Sequence, residues 1–226
     1  MPATTPTGSC TITDFTGSGF VRSATSRSHA NSSAHCAHCS NASMAHPAWN
    51  VFGHLAVTQA FLPAIRNAGG RIVFMSSVGG RVPSAPFLSP YNASKHAIES
   101  FGDALRVELA PWGIHVSLIE PGSIATPIWD KSVSAAGELR KSLPPEAEER
   151  YGEAADRATK IAEATGRRGI PPERVAAKVA LALTTARPRP RYMVGPDAKA
   201  QTIAFSLLTD RARDRLVARV MKLRPR

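Results

Sequence analysis

The chain has 226 residues, 43% of them apolar, with 28 Lys and Arg against 17 Asp and Glu for a formal charge of +11. That length and apolar content suit one domain with a substantial core and exclude wholesale disorder, and no run approaches the ~18 uninterrupted apolar residues of a membrane-spanning helix. Cys10, Cys36 and Cys39 are too few and odd in number for a disulfide framework, and the first thirty residues hold no apolar core of a secretory signal, so the cytoplasm is the expected compartment.

The composition breaks near residue 49. Ser, Thr and Ala supply about half of residues 1–49, and the first Leu is Leu55. Such a segment cannot offset the ~1–2 kcal/mol per residue that backbone ordering costs, so 1–49 is expected to be disordered and 50–226 folded. His35-Cys36-Ala37-His38-Cys39 has a spacing that admits zinc, but no second Cys/His pair follows at finger spacing, and no metal is expected.

From Asn50 onward the pattern is that of a packed α/β protein. Residues 51–65 carry Phe52, Leu55, Ala56, Phe61, Leu62 and Ile65 at helical spacing, with Gly69-Gly70 beyond the end. The short apolar run at 72–75 predicts a strand buried on both faces. A second helix is predicted over 91–110, with Ile98, Phe101, Leu105 and Leu109 on one stripe, and a strand over 115–119. Helices at 144–166 and 171–186 and a short strand at 191–194 follow. This alternation predicts a doubly wound parallel sheet.

The charge is concentrated at the end of the chain, where residues 187–226 hold eleven basic side chains against Asp197, Asp210 and Asp214. Residues 203–223 read as an amphipathic basic helix. A solvated arginine face is the expected reading, with peripheral contact to an anionic membrane as the alternative. No nucleic-acid module or aromatic platform accompanies the basic residues, so no nucleic-acid partner is expected.

Tyr91-Asn92-Ala93-Ser94-Lys95 sets a phenol and an ammonium four residues apart on one helix face. A free tyrosine, pKa ~10, is a poor acid or base at neutral pH. A nearby cation favours the phenolate, which suits proton exchange with an alcohol or ketone. Ser76-Ser77-Val78-Gly79 follows one strand and Pro121-Gly122-Ser123-Ile124-Ala125-Thr126 the next. Both loops therefore leave the carboxyl ends of parallel strands, where ligands bind in open α/β sheets.

These motifs, with Asn50-Val51-Phe52-Gly53 and Leu105-Arg106-Val107-Glu108-Leu109, resemble the catalytic half of the short-chain dehydrogenase/reductase family, closest to its steroid- and retinol-dehydrogenase-like branch. The resemblance implies a Rossmann-like fold and an NAD or NADP cofactor. It implies that Tyr91 is the general acid/base, that Lys95 lowers its pKa and binds the nicotinamide ribose, and that Ser77 bonds the substrate oxygen. Asn50 would hold a water linked to Lys95. Pro121 and Gly122 would pack on the nicotinamide, with Ile124 and Thr126 contacting its carboxamide. It further implies a hydrophobic small-molecule substrate, and a homo-oligomer through the helices at 51–65 and 91–110.

The family's opening strand and Thr-Gly-x-x-x-Gly-x-Gly turn, whose helix N-terminus receives the pyrophosphate, have no counterpart in residues 1–49; Thr16-Gly17-Ser18-Gly19 matches only a fragment. The expected fold is thus a partial Rossmann-like sheet, from truncation or an altered reading frame ahead of Asn50. Weak or absent NAD(P) binding is expected, as is self-association through an apolar strand edge at 72–75. A catalytically silent remnant acting through helix-mediated association is the alternative to an active oxidoreductase.

Overall fold

The computed structural model describes residues 12–13, 23–24 and 48–223. The chain divides into two compact units, Met1–Cys36 and Ala37–Arg226. Within the first, β1 (Ile12–Thr13) pairs antiparallel with β2 (Ser23–Ala24), Ile12 opposite Ala24. Residues 1–11, 14–22 and 25–47 of the segment expected to be disordered, with the His35–Cys39 run and Thr16–Gly19, lie outside the described residues.

In the second unit a π-helical turn, Ala48–Gly53, runs directly into α1 (His54–Asn67). Gly69, at φ +56°, takes the left-handed conformation of a helix C-cap, and the Gly70 N–H donates to the Ile65 carbonyl at 2.8 Å. This sharp stop feeds β3 (Arg71–Met75). A 3₁₀ turn, Val78–Gly80, leads on to α2 (Ser89–Glu108), which has Pro90 in its first turn, where a missing N–H is harmless. The chain then forms β4 (His115–Pro121), α3 (Ile128–Lys141), α4 (Pro145–Arg167), α5 (Glu173–Thr184) and β5 (Arg191–Val194). It closes with α6 (Pro196–Leu207) and α7 (Asp210–Val220).

The sheet is parallel, in the order β3-β4-β5, with Met75 opposite Ile119 and Pro121 opposite Val194. One face packs Ile72, Phe74, Val116 and Leu118 against Ile98 and Leu109, with Leu62 and Ile65 of α1 at the margin. The other packs Ile119, Tyr192 and Val194 against Ala182, with Val175 and Val179 of α5. Consecutive residues Leu118 and Ile119 are both 0% exposed on opposite faces, so β4 is the sealed centre of an α/β, doubly wound sheet.

Three expectations are refined. β3 packs on both faces, Ile72 and Phe74 in one cluster and Val73 against the other, but Met75 at its end is 39% exposed and no strand pairs with its outer edge among the described residues. The basic helix expected over 203–223 is two helices. Leu208 and Thr209 are extended, at ψ 140° and 157°, and the Thr209 carbonyl restarts the helix by accepting from the N–H groups of Ala212 and Arg213. α3 was not expected, since Ser132, Ser134 and Gly137 weaken its helical pattern.

Candidate active site

The carboxyl ends of β3 and β4 bring the Ser77 turn and the Pro121-Gly122 loop together under the first turns of α2. A Cβ on Gly80 would lie 2.9 Å from the Lys95 carbonyl, so a glycine there lets the turn press against α2. Ser77 Oγ accepts from the Gly79 N–H at 3.1 Å and donates to the Pro121 carbonyl at 3.5 Å. Ser77 and Tyr91, separated by most of a loop in sequence, come close enough for the Ser77 hydroxyl to act on the Tyr91 phenol. The neighbouring Ser76 is buried, and its hydroxyl has no hydrogen-bond partner.

Burial pushes the Tyr91 phenol above its ordinary value, and the Ser77 hydroxyl opposes this only in part. The depression expected from Lys95 is not found. The Lys95 ammonium lies 5.8 Å from the Tyr91 ring centroid and donates to the Met75 carbonyl at 3.0 Å. Burial lowers the lysine's own pKa. Two groups withdrawn from water each lean toward their neutral forms, and that outweighs their mutual support.

Asn50 reaches this site through a neighbour. Its Nδ2 donates to Ser94 Oγ at 3.2 Å, and Ser94 Oγ donates to the Tyr91 carbonyl at 2.7 Å. The Asn50 carbonyl lies 2.7 Å from His54 Nδ1. The loop after β4 is held on several sides. The Gly122 N–H donates to the Val194 carbonyl at 2.9 Å, and the Ser123 N–H to Asp197 Oδ2 at 2.7 Å. Ile124 bridges to Ile170, and its carbonyl accepts from the Trp129 indole at 2.8 Å. Thr126 is half-buried at the end of this loop.

One turn beyond Lys95 lies a cluster that sequence reasoning missed. Glu120, the residue before Pro121, is 0% exposed, and Glu99 is 5% exposed. Arg191 Nε lies 3.0 Å from both Glu99 Oε2 and Glu120 Oε1, and Arg81 Nε lies 3.9 Å from Glu120 Oε1. The same guanidinium donates to both carboxylate oxygens of Asp103, at 2.6 and 2.7 Å. Glu99 Oε1 and both oxygens of Glu120 lack hydrogen bonds. Burial, and then the charge of Glu99, push Glu120 up to about 7. The available signal was a glutamate directly after the apolar pair Leu118-Ile119, where a buried charge requires a partner.

No group of three or more His, Cys, Asp and Glu side chains is arranged to hold a metal among the described residues. For a nicotinamide dinucleotide the donors fit one end. Tyr91, Lys95 and the Ser77 turn converge, and the orphaned Ser76 hydroxyl and half-buried Thr126 lie on the same two loops. The pyrophosphate end lacks its Gly-rich turn in this sequence. Among the described residues, no helix is long and apolar enough to cross a membrane.

The family model for short chain dehydrogenases matches residues 22–137, beginning ahead of Asn50. The chain is 36% identical over 178 residues to an NADPH-dependent 3-dehydrocapnine reductase of Ornithobacterium rhinotracheale, covering 76% of this chain and 60% of that protein. It is 34% identical over 177 residues to retinol dehydrogenase 5 of Mus musculus, covering 76% of this chain and 55% of that one. It thus spans little more than half the length of these relatives. A short-chain dehydrogenase/reductase from Burkholderia phymatum, solved in complex with NAD, matches at a TM-score of 0.53 and 29% identity, over 72% of this chain and 58% of that one. With a matched family model over half its length and the Ser77–Tyr91–Lys95 arrangement at the sheet's carboxyl end, the chain belongs to the short-chain dehydrogenase family of NAD(P)-dependent oxidoreductases.

Proposed function

We propose that residues 50–226 carry the proton-transfer half of an NAD(P)-dependent interconversion of a secondary alcohol with a ketone or aldehyde, on a hydrophobic small molecule. The observation that supports it is the approach of the Ser77 hydroxyl to Tyr91 beside the Pro121-Gly122 loop, where Ser77 Oγ donates to the Pro121 carbonyl. A bound nicotinamide would supply or accept the hydride. Ser77 would hold the substrate oxygen and Tyr91 would exchange its proton with it. Lys95 and Asn50 act around that phenol, Lys95 as a nearby donor and Asn50 by steadying the Tyr91 turn through Ser94. A phenol raised by burial is protonated at neutral pH, the form that donates to a carbonyl undergoing reduction. Pro121, Gly122, Ile124 and Thr126 are the residues to hold the nicotinamide. The relative named retinol dehydrogenase supports an apolar substrate.

Titration of the folded chain with NADH and NADPH tests this reading. Weak but saturable binding is expected, since the pyrophosphate turn is not in the sequence. A folded chain that binds neither nucleotide favours a second reading, a catalytically silent protein that acts by association. Two observations support that second reading. The Lys95 ammonium spends one of its donors on the Met75 carbonyl, and the outer edge of β3 is unpaired among the described residues. Self-association through α1 with its preceding turn and α2 is part of both readings, given that Phe52, Phe61 and Val107 are 66%, 61% and 72% exposed. Light scattering should then report more than one copy. The cytoplasm is the proposed compartment, on the cysteine content alone.

A further inference from the structure

α6 carries Ala200, Ile203, Ala204 and Leu207 at the i, i+3, i+4, i+7 spacing that normally marks the side of a helix turned to the core. Here all four are exposed, Ile203 at 61% and Leu207 at 80%. The helix is anchored by its other side, where Ala198 is 0% exposed and Phe205 is half-buried. α7 is fixed in place: Arg213 Nε donates to the Phe205 carbonyl at 2.8 Å, and Arg157 Nε to the Val220 carbonyl at 3.1 Å. On α7, Arg211, Arg215 and Arg219 recur at four-residue steps, all exposed, and none has an ion-pair partner among the described residues. Leu216 and Val220, each one residue beyond an arginine of this stripe, are 44% and 42% exposed.

We infer that the α6–α7 surface docks on an anionic lipid bilayer, with Ile203 and Leu207 seated at the acyl boundary and Arg211, Arg215 and Arg219 on lipid phosphates. A soluble amphipathic helix turns its apolar stripe inward, whereas α6 turns it outward. That reverses the ground for expecting only a solvated arginine face. Charge selects the occupant. Residues 196–223, which carry both helices, hold six basic side chains against three acidic ones, so a second copy would bring like charge to the seam, while an anionic membrane complements both the charge and the apolar stripe.

The test is co-sedimentation of the full chain with phosphatidylcholine vesicles, with and without phosphatidylserine. Binding is expected only to the phosphatidylserine vesicles, and is expected to weaken by about tenfold or more in high salt. I203E/L207E and R211E/R215E/R219E should each abolish it while leaving the circular dichroism spectrum unchanged, since these positions are exposed. Failure of the wild-type chain to bind phosphatidylserine vesicles at low salt overturns the inference. So does an I203E/L207E variant that still sediments with vesicles but loses self-association in light scattering, which would make a second copy the occupant. None of these readouts depends on redox activity or nucleotide binding.

Discussion

Two polar clusters share α2, one turn apart, and they are built on opposite terms. Around Tyr91 the polar groups are tied by neutral or singly charged hydrogen bonds, and the phenol and Ser77 stay half-exposed. Around Glu120 the Glu99 and Glu120 carboxylates are sealed under the helix, three of their oxygens have no hydrogen bond, and one guanidinium serves these two acids and the more exposed Asp103. The contrast separates two uses of polarity at the same end of a sheet. The first cluster can meet a ligand and exchange a proton; the second cannot, and its charge balance instead bears on whether the fold holds. Chemistry should therefore follow Tyr91, and stability should follow Arg191.

The largest effect that would sharpen this division is Tyr91→Phe, which deletes the exchangeable proton and keeps the ring. Any oxidoreductase rate should fall by ~10²–10⁴, with stability held within about 1 kcal/mol. Unfolding of that variant in urea well before the wild type would erase the contrast. Arg191→Met is the converse, leaving buried acids without their cation. A loss of about 3–5 kcal/mol in urea unfolding is expected, as for breaking a buried ion pair from one side. A shift in the urea midpoint worth under about 1 kcal/mol would show the cluster to be idle.

A pH series probes the same cluster more gently. Glu120 rises from an ordinary 4.5 to about 7 in the folded chain, by burial first and the neighbouring Glu99 second. Between those values the folded state binds more protons than the unfolded one, so stability should fall as pH rises through that window. Glu120→Gln should flatten the slope, and an unchanged slope would place the titration elsewhere. The smallest effect belongs to Lys95→Met, which removes the donor on the Met75 carbonyl. About 1–2 kcal/mol is expected, seen as faster hydrogen exchange in β3 rather than as global unfolding.

The parts of this site that were legible in the sequence are those set by local spacing. Tyr91 and Lys95 share a helix face at any stability, and Pro121-Gly122 ends a strand wherever that strand lies. The three strands and the helices at 51–65 and 91–110 declared themselves by apolar period, with ends displaced by a π turn and by Pro90. What escaped depends on chain segments far apart. Arg191 is distant from Glu99 in sequence, and nothing local ties it to that acid. The direction of the Tyr91 shift is a property of tertiary burial, so the Lys95 spacing alone pointed the wrong way. The break at Leu208–Thr209 turns on two backbone dihedrals, which apolar periodicity does not encode.

The bond from Lys95 to Met75 has a reach beyond the catalytic question. The Ser76 N–H donates to the Ile119 carbonyl at 2.8 Å, so the adjoining Met75 carbonyl points away from β4, along the open side of the strand. The ammonium is therefore a plug on an otherwise uncapped edge. An ammonium has three N–H donors, so a ligand can share Lys95 with the carbonyl; where a ligand draws the ammonium away from it, thermodynamic reciprocity makes the two events a linked pair. A strand that pairs with the outer side of β3 would then compete for the Met75 carbonyl and favour a ligand on the lysine, and such a ligand would open the edge to a new neighbour. Occupancy of the site and assembly along the sheet would thus favour one another through one lysine.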